Sequence, residues 1–167
     1  MRLLQIGLLM IILIWGSGCT MTAFLETKTF QPKKSEDYQV MKVNRGWATL
    51  VETLADVAYV NRETGATISL TSTCEKYKDI PLDQLMDNVL LGMSDAKKLK
   101  DEKFTLDERE ALRVVLIANA DGVPVKTQVI VMRKNFCIYD FIYTARPQNY
   151  DSQVNTFDQF VRSFHVG

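Results

Sequence analysis

The stretch ALRVVLIANADGVPVKTQVIVMRKNFCIYDFIYTA, residues 111–145, decides the fold. Three runs within it are rich in β-branched and aromatic residues, as β-strands are: 111–120, 123–132 and 136–145. The dipeptide Asp121-Gly122 separates the first two runs and suits the positive φ angles of a tight hairpin turn. Residues 133–135 predict a second turn. The stretch therefore predicts a three-stranded antiparallel meander.

The residues before the meander predict a hairpin followed by a helix. Two strand-like runs flank a short loop that contains Gly65: 57–61 and 66–72. A helix follows at 82–90, because apolar residues recur there at the spacing of one helical face. Asp79 and Pro81 are its start signals, and Gly92 ends it.

The two ends of the folded region are also predicted. A short strand is expected at 38–43, before a turn at Gly46-Trp47. A final helix is expected after a cap at Asp151 or Ser152. Its apolar residues share one face that would pack on the sheet: Val154, Phe157, Phe160, Val161 and Phe164.

This order of elements, with the ending F-x-x-F-V-x-S-F at 157–164, resembles the PsbP/Mog/DcrB-like domains. The resemblance covers roughly 38–166 and implies an α+β fold, an antiparallel β-sheet with helices packed on it as an α/β/α sandwich. It carries no catalytic signature. Relatives include a photosystem II extrinsic subunit, a Ran-binding protein and bacterial envelope lipoproteins. The resemblance therefore implies a protein that binds or stabilises another macromolecule.

The N-terminus predicts export and lipid anchoring. Arg2 precedes an apolar run at 3–15, and small residues at 16–18 lead to Cys19, which is the layout of a signal peptide. The apolar run is too short for a bilayer span, which needs about 20 residues. Small residues before a cysteine resemble the lipobox of bacterial lipoproteins, although Gly16 stands where that pattern prefers leucine. The resemblance implies cleavage before Cys19 and acylation of its sulfur and amine.

We expect three regions: a signal peptide at 1–18, a lipidated tether at 19–37 and one globular domain at 38–167. Two alternatives stay open, an ordinary signal peptide without lipid and an uncleaved transmembrane anchor at 3–25. The lipoprotein resemblance implies a bacterial envelope location. Thr20, where an aspartate would retain a lipoprotein at the inner membrane in enteric bacteria, favours the outer membrane.

Cys74 and Cys137 remain when Cys19 carries lipid. An even pair in an exported protein is a candidate disulfide, and two separate buried thiols are the alternative. A catalytic cysteine requires a histidine, and the only one, His165, stands next to the chain end. Thiol catalysis is therefore not expected.

Other candidate sites have simpler explanations. Asp79, Asp83 and Asp87 could present carboxylates to a cation, but a cap and a solvated helix face explain them. A mixture of basic and acidic residues predicts a solvated loop and not a phosphate-binding surface: Lys97, Lys98, Lys100 and Lys103 with Asp95, Asp101 and Glu102. Alternating aromatic residues could line a ligand groove, but core packing on a central strand explains them better: Tyr139, Phe141 and Tyr143.

Composition and motifs narrow the function. Twenty basic and twenty acidic residues balance, so no net charge attracts the chain to nucleic acid. The serine in a hydrolase-like setting, Ser17, lies in the predicted signal peptide. Neither zinc-ligand spacings nor phosphate-binding loops occur in the sequence.

The sequence predicts a non-enzymatic envelope lipoprotein, without cofactor or metal, that binds the bilayer through acylated Cys19 and binds or stabilises an envelope protein assembly. The alternative is a lipid-anchored small-ligand or metal-binding module, suggested by the aromatic run 136–145 and the acidic helix face.

Overall fold

The computed structural model describes residues 33–51, 53–74 and 80–167. These residues form nine strands and two helices, in chain order: β1 (Tyr38–Gln39), β2 (Trp47–Thr49), β3 (Val57–Asn61), β4 (Thr67–Cys74), α1 (Leu82–Leu90), β5 (Ser94–Leu106), β6 (Arg109–Ala120), β7 (Val123–Lys134), β8 (Cys137–Ala145), α2 (Pro147–Arg162) and β9 (His165–Val166).

Seven of the strands form one antiparallel sheet in the order β2-β3-β4-β8-β7-β6-β5. Strands β5 to β8 are a meander, and β8 also pairs with β4. Strands β3 and β4 form the N-terminal hairpin, and the pairing of β4 with β8 joins this hairpin to the meander. We name the β4–β8 pairing the seam. Strands β1 and β9 form a separate pair. The predicted α+β class, an antiparallel sheet with helices packed on it, is confirmed.

Strand β8 is covered on both faces, as predicted for a central strand. Tyr139, Phe141 and Tyr143 are fully buried in the apolar cluster that contains α2. Ile138 belongs to the cluster on the other face, which contains α1. The period of two along a strand places these sets on opposite faces.

Aromatic contacts fix α2 against the sheet. Phe157 stacks on Tyr143 at a centroid distance of 5.6 Å, and Phe160 meets Phe141 edge to face at 6.4 Å. The Tyr143 hydroxyl donates a hydrogen bond to the carbonyl oxygen of Tyr150 at 2.8 Å, which satisfies this buried polar group. The predicted packing of the last helix on the sheet is thereby confirmed.

The predicted solvated loop around Lys97 is wrong, because this segment is strand β5 at the edge of the sheet. Nearly all of its side chains are exposed, so the alternation of apolar and polar residues that marks a strand is missing. Backbone pairing with β6 holds it instead. Its lysines and register shifts are typical of edges protected against further pairing.

The predicted second turn of the meander is displaced. Strand β7 extends through Lys134, and Lys134 pairs with Cys137, so the turn consists of Asn135 and Phe136. Phe136 is therefore a turn residue and does not begin the last strand. Its aromatic side chain is typical of strands and obscured the turn in the sequence.

Helix α2 begins at Pro147, before the predicted caps Asp151 and Ser152. Proline suits the first helical position because that position needs no amide hydrogen. The strand predicted at 38–43 is limited to β1, and Trp47 begins β2 after the turn at Gly46. Helix α1 occupies the predicted 82–90, while Asp79 lies outside the described residues.

Asp107, in the turn between β5 and β6, joins three parts of the chain. Its carboxylate accepts hydrogen bonds from the Lys134 ammonium at 2.7 Å and the Val166 N–H at 2.9 Å, and it lies 2.8 Å from Nδ1 of His165. Burial raises the pKa of Asp107, but these hydrogen bonds outweigh burial and lower it to about 2.

We expect Asp107→Asn to lower the free energy of unfolding at neutral pH by about 1–3 kcal/mol, because it leaves the largely buried Lys134 ammonium without its counterion. A carboxyl with a lowered pKa stabilises the fold above its unfolded pKa. Wild-type stability should therefore fall from pH 3.8 towards about 2, and the variant should lack this component. Urea unfolding at several pH values measures both effects. Asp121→Asn, in the exposed turn between β6 and β7, is the control. Equal stability of Asp107→Asn and wild type would contradict the stabilising role of Asp107.

Candidate interaction surface

Cys74 and Cys137 form a disulfide, as predicted. They are directly opposite residues at one end of the seam, with their Cα atoms 4.1 Å apart. The Cys74 N–H points away from β8 and donates to the carbonyl oxygen of Lys33 at 2.7 Å. The cysteines therefore occupy a non-hydrogen-bonded pair of the antiparallel ladder, the position at which side chains approach most closely. We name this end of the central strands, where β4 ends and β8 begins, the disulfide end.

Residues 33–37, the described part of the predicted tether, are bound to the sheet at the disulfide end. The Ser35 N–H donates to Oγ of Ser72 at 2.8 Å, and the Ser35 hydroxyl lies 2.9 Å from the Tyr139 hydroxyl. Lys34 forms an ion pair of 2.8 Å with Asp56. Burial raises the pKa of Tyr139, so its hydroxyl keeps its proton at neutral pH.

An open groove lies beside the disulfide. Its volume is about 500 Å³, and its wall includes residues 33–37, both cysteines and the turn residues Asn135 and Phe136. Lys33, Glu36 and Asp37 are exposed there, so charges of both signs line it. The groove therefore offers no single charge that would select an anionic or cationic ligand.

Phe136 has an unusual backbone for a bulky residue. Asn135 and Phe136 have φ angles of 51° and 62°, so both occupy the left-handed region that a two-residue hairpin turn requires. Glycine is the usual residue at the second position, and Gly122 occupies it in the turn between β6 and β7. Left-handed backbone costs about 1–2 kcal/mol for a residue with a Cβ atom. The Phe136 side chain is 83% exposed, so core packing does not offset this cost.

Two other apolar side chains project at the disulfide end. Val51 is 78% exposed and Leu54 is 90% exposed, both in the connection from β2 to β3. Because β3, β4 and β8 are antiparallel neighbours, this connection lies at the same end of the strands as Cys74 and Phe136. The Lys34 ammonium donates to the Leu54 carbonyl oxygen at 2.8 Å, which joins this connection to residues 33–37.

Several predicted site residues are elsewhere. Tyr139 and Tyr143 are fully buried, so the core interpretation is confirmed and a groove lined by these tyrosines is wrong. Asp83 and Asp87 are exposed on α1, and the described residues contain no group of three metal-ligand side chains. Cys19 and Ser17 lie outside the described residues.

Asp140 is a buried carboxyl group that the sequence analysis missed. Burial raises its pKa to about 7, an effect that the nearby Lys34 charge reduces. It borders a small cavity of about 170 Å³ together with Thr73 and Asn88. The signal was an acidic residue between Ile138 and Ile142, on a strand face that is otherwise apolar.

Comparison with known proteins assigns the fold. No protein-family model and no curated sequence match the chain. Cyanobacterial PsbP (CyanoP) from Synechocystis sp. PCC 6803 matches in structure with a TM-score of 0.58 and 17% identity, over 78% of this chain and 87% of that protein. The Ran-binding protein Mog1p of Saccharomyces cerevisiae matches with a TM-score of 0.51 and 16% identity, over 81% and 95%. The chain has a PsbP/Mog1-like fold.

A third structure that the chain matches is LpqN, described as involved in cell envelope biogenesis of Mycobacterium tuberculosis. It matches with a TM-score of 0.55 and 13% identity, over 77% of this chain and 82% of LpqN. At these identities the likeness concerns the fold alone. Within residues 33–51, 53–74 and 80–167, neither helix is long and apolar enough to cross a bilayer.

We expect Phe136→Gly to raise the free energy of unfolding by about 0.5–1 kcal/mol, because glycine adopts the left-handed backbone without steric cost. Gly122→Phe, the reverse change in the opposite turn, is the matched control. It should destabilise the protein through backbone conformation, since the space beside Gly122 is open. Thermal and urea unfolding measure both changes. A less stable Phe136→Gly protein would show that the aromatic ring supports the fold.

Proposed function

We propose that the chain is a lipid-anchored, non-enzymatic protein of the bacterial cell envelope that binds or stabilises an envelope protein assembly. The Cys74–Cys137 disulfide carries the proposal, because such bonds persist in exported proteins and are rare in the cytosol. The sequence before the domain supports it, since Cys19 follows a signal-peptide pattern.

The anchor is acylated Cys19. Each buried methylene of an acyl chain contributes about 0.8 kcal/mol, and more than one chain gives stable attachment. Thr20 in the sorting position favours the outer membrane as the destination. The domain is then held at a membrane surface through the tether.

A binding or stabilising role is supported by the fold comparison and by the site chemistry. LpqN is described as involved in cell envelope biogenesis, and Mog1p as a Ran-binding protein. The sulfur atoms of Cys74 and Cys137 are bonded to each other, so neither is a free nucleophile. The alternative role is a small-ligand or metal-binding module. The open groove beside the disulfide could still serve it, but the buried tyrosines of β8 do not form the ligand groove that the sequence suggested.

Cys19→Ala tests the proposal. Wild-type protein should be found in the outer-membrane fraction, begin at Cys19 and carry acyl mass, whereas the variant should lack acyl mass, keep residues 1–18 and be missing from the outer-membrane fraction. Crosslinking in the same cells should join the wild type to a specific envelope protein, and the variant much less. Thr20→Asp is the control for sorting, because it should keep the acyl mass and move the protein to the inner membrane. Full-length, unacylated wild type in the membrane would favour the transmembrane anchor.

A further inference from the structure

The most exposed apolar side chains are concentrated at the disulfide end. Among the described residues, four large apolar side chains are more than 70% exposed. Three of them, Val51, Leu54 and Phe136, lie at this end. The fourth, Leu91, is 83% exposed and follows α1 near the opposite end. Exposed apolar side chains that are grouped at one end of a domain indicate a contact with another surface.

The backbone of Phe136 supports the same conclusion. The turn at 135–136 would be less strained with glycine, yet it presents an aromatic ring to solvent. Phenylalanine at a position that favours glycine costs stability, and the exposed ring gains no core packing in return. This indicates that the side chain has a function outside the fold.

The path of the chain identifies the surface. Lys33, the first described residue, is hydrogen-bonded to Cys74 at the disulfide end. The 14 residues from Cys19 to Lys33 (33 − 19) span at most about 50 Å. Strand β6 carries the sheet about 40 Å away from this end, at 3.3–3.4 Å for each of its 12 residues. The tether can be longer than the sheet and does not by itself fix the orientation of the domain, but it joins the domain at the disulfide end and so favours that end as the one nearer the membrane.

The charges at this end select the type of contact. Lys33, Glu36, Asp37 and Glu108 are exposed there, and they carry both signs. Cleavage before Cys19 also removes Arg2, so the lipidated chain has 19 basic and 20 acidic residues and a net charge of only −1. Attraction to anionic headgroups is therefore weak, and the contact depends on apolar insertion.

We propose that the disulfide end docks on the bilayer that holds the lipid anchor, with Phe136, Val51 and Leu54 inserted into the interfacial region. This proposal rests on the lipid anchoring proposed above. Strands β3, β4 and β8 separate the two insertion points by roughly 15 Å, so one flat surface reaches both. Three partly inserted side chains bind weakly alone, and the anchor raises their effective concentration at the membrane. Docking leaves the opposite end accessible to a protein partner.

Fluorescence quenching tests the proposal on the full lipidated chain. Cleavage before Cys19 removes Trp15, so Trp47 is the one remaining tryptophan and is replaced by phenylalanine. Phe136→Trp then supplies the single reporter. The protein is reconstituted into phosphatidylcholine vesicles with or without bromine on the acyl chains. Leu91→Trp is the control, because Leu91 is equally exposed at the opposite end. Leu54→Trp supplies a second reporter at the docked end, in case tryptophan at position 136 disturbs the turn.

Docking predicts about a twofold loss of fluorescence in brominated vesicles for the reporters at 136 and 54, no loss at 91, and no change on adding salt. Adding Phe136→Gly to the Leu54→Trp protein should reduce the quenching while the protein stays folded. Acylated, vesicle-bound protein that shows equal or no quenching at 54, 136 and 91 overturns docking and leaves the anchor intact. Protein without acyl mass that does not float with vesicles overturns the anchor, and the docking proposal falls with it. Crosslinking of position 136 to a protein with no quenching by lipid assigns the surface to that protein and also overturns docking.

Discussion

The disulfide between Cys74 and Cys137 is the constraint on which the arrangement of the domain depends. It lies at one end of the seam, and the seam alone joins the N-terminal hairpin to the meander within the main sheet. The bond closes a chain separation of 63 residues, which contributes roughly 4 kcal/mol in the chain-entropy account of disulfide stabilisation. Loss of the bond would act first where the two parts of the sheet meet.

The same bond organises the surface beside it. Cys74 holds Lys33 through its amide, and Cys137 directly follows the turn that presents Phe136. The tether and the exposed aromatic ring are thus fixed to neighbouring strands. Asp107 adds a second connection, because it joins the adjacent turn to Lys134 and to the C-terminal residues. A rigid end of this kind can hold apolar side chains in position without a packed core behind them.

Much of this fold was predictable from the sequence because its core follows regular patterns. The turn at Asp121-Gly122, helix α1 and the buried aromatic face of β8 carry strong local signals. Strand β5 was not predictable, because a charged edge strand is held by backbone pairing and carries no apolar alternation. The start of α2 was missed because Pro147 also serves as a strand terminator.

The candidate surface was only partly predictable. The even number of cysteines left after Cys19, in a protein predicted to be exported, indicated the disulfide. These features did not indicate that the disulfide brings the tether and Phe136 together. Phe136 was assigned to a strand since aromatic residues favour strands, and only the pairing of Lys134 with Cys137 shows that it occupies a turn. The burial of Asp140 depends on the seam and on α1, which lie far from it in sequence.

Native-state hydrogen exchange on the Cys74→Ala/Cys137→Ala double variant tests most directly whether the disulfide holds the seam. Loss of the bond lowers the global free energy of unfolding, so we expect some loss of amide protection in β6 and β7, and a clearly larger loss in β4 and β8 near positions 74 and 137. Unchanged protection at the seam, or an equal loss in β6 and β7, would contradict the central role assigned to this bond.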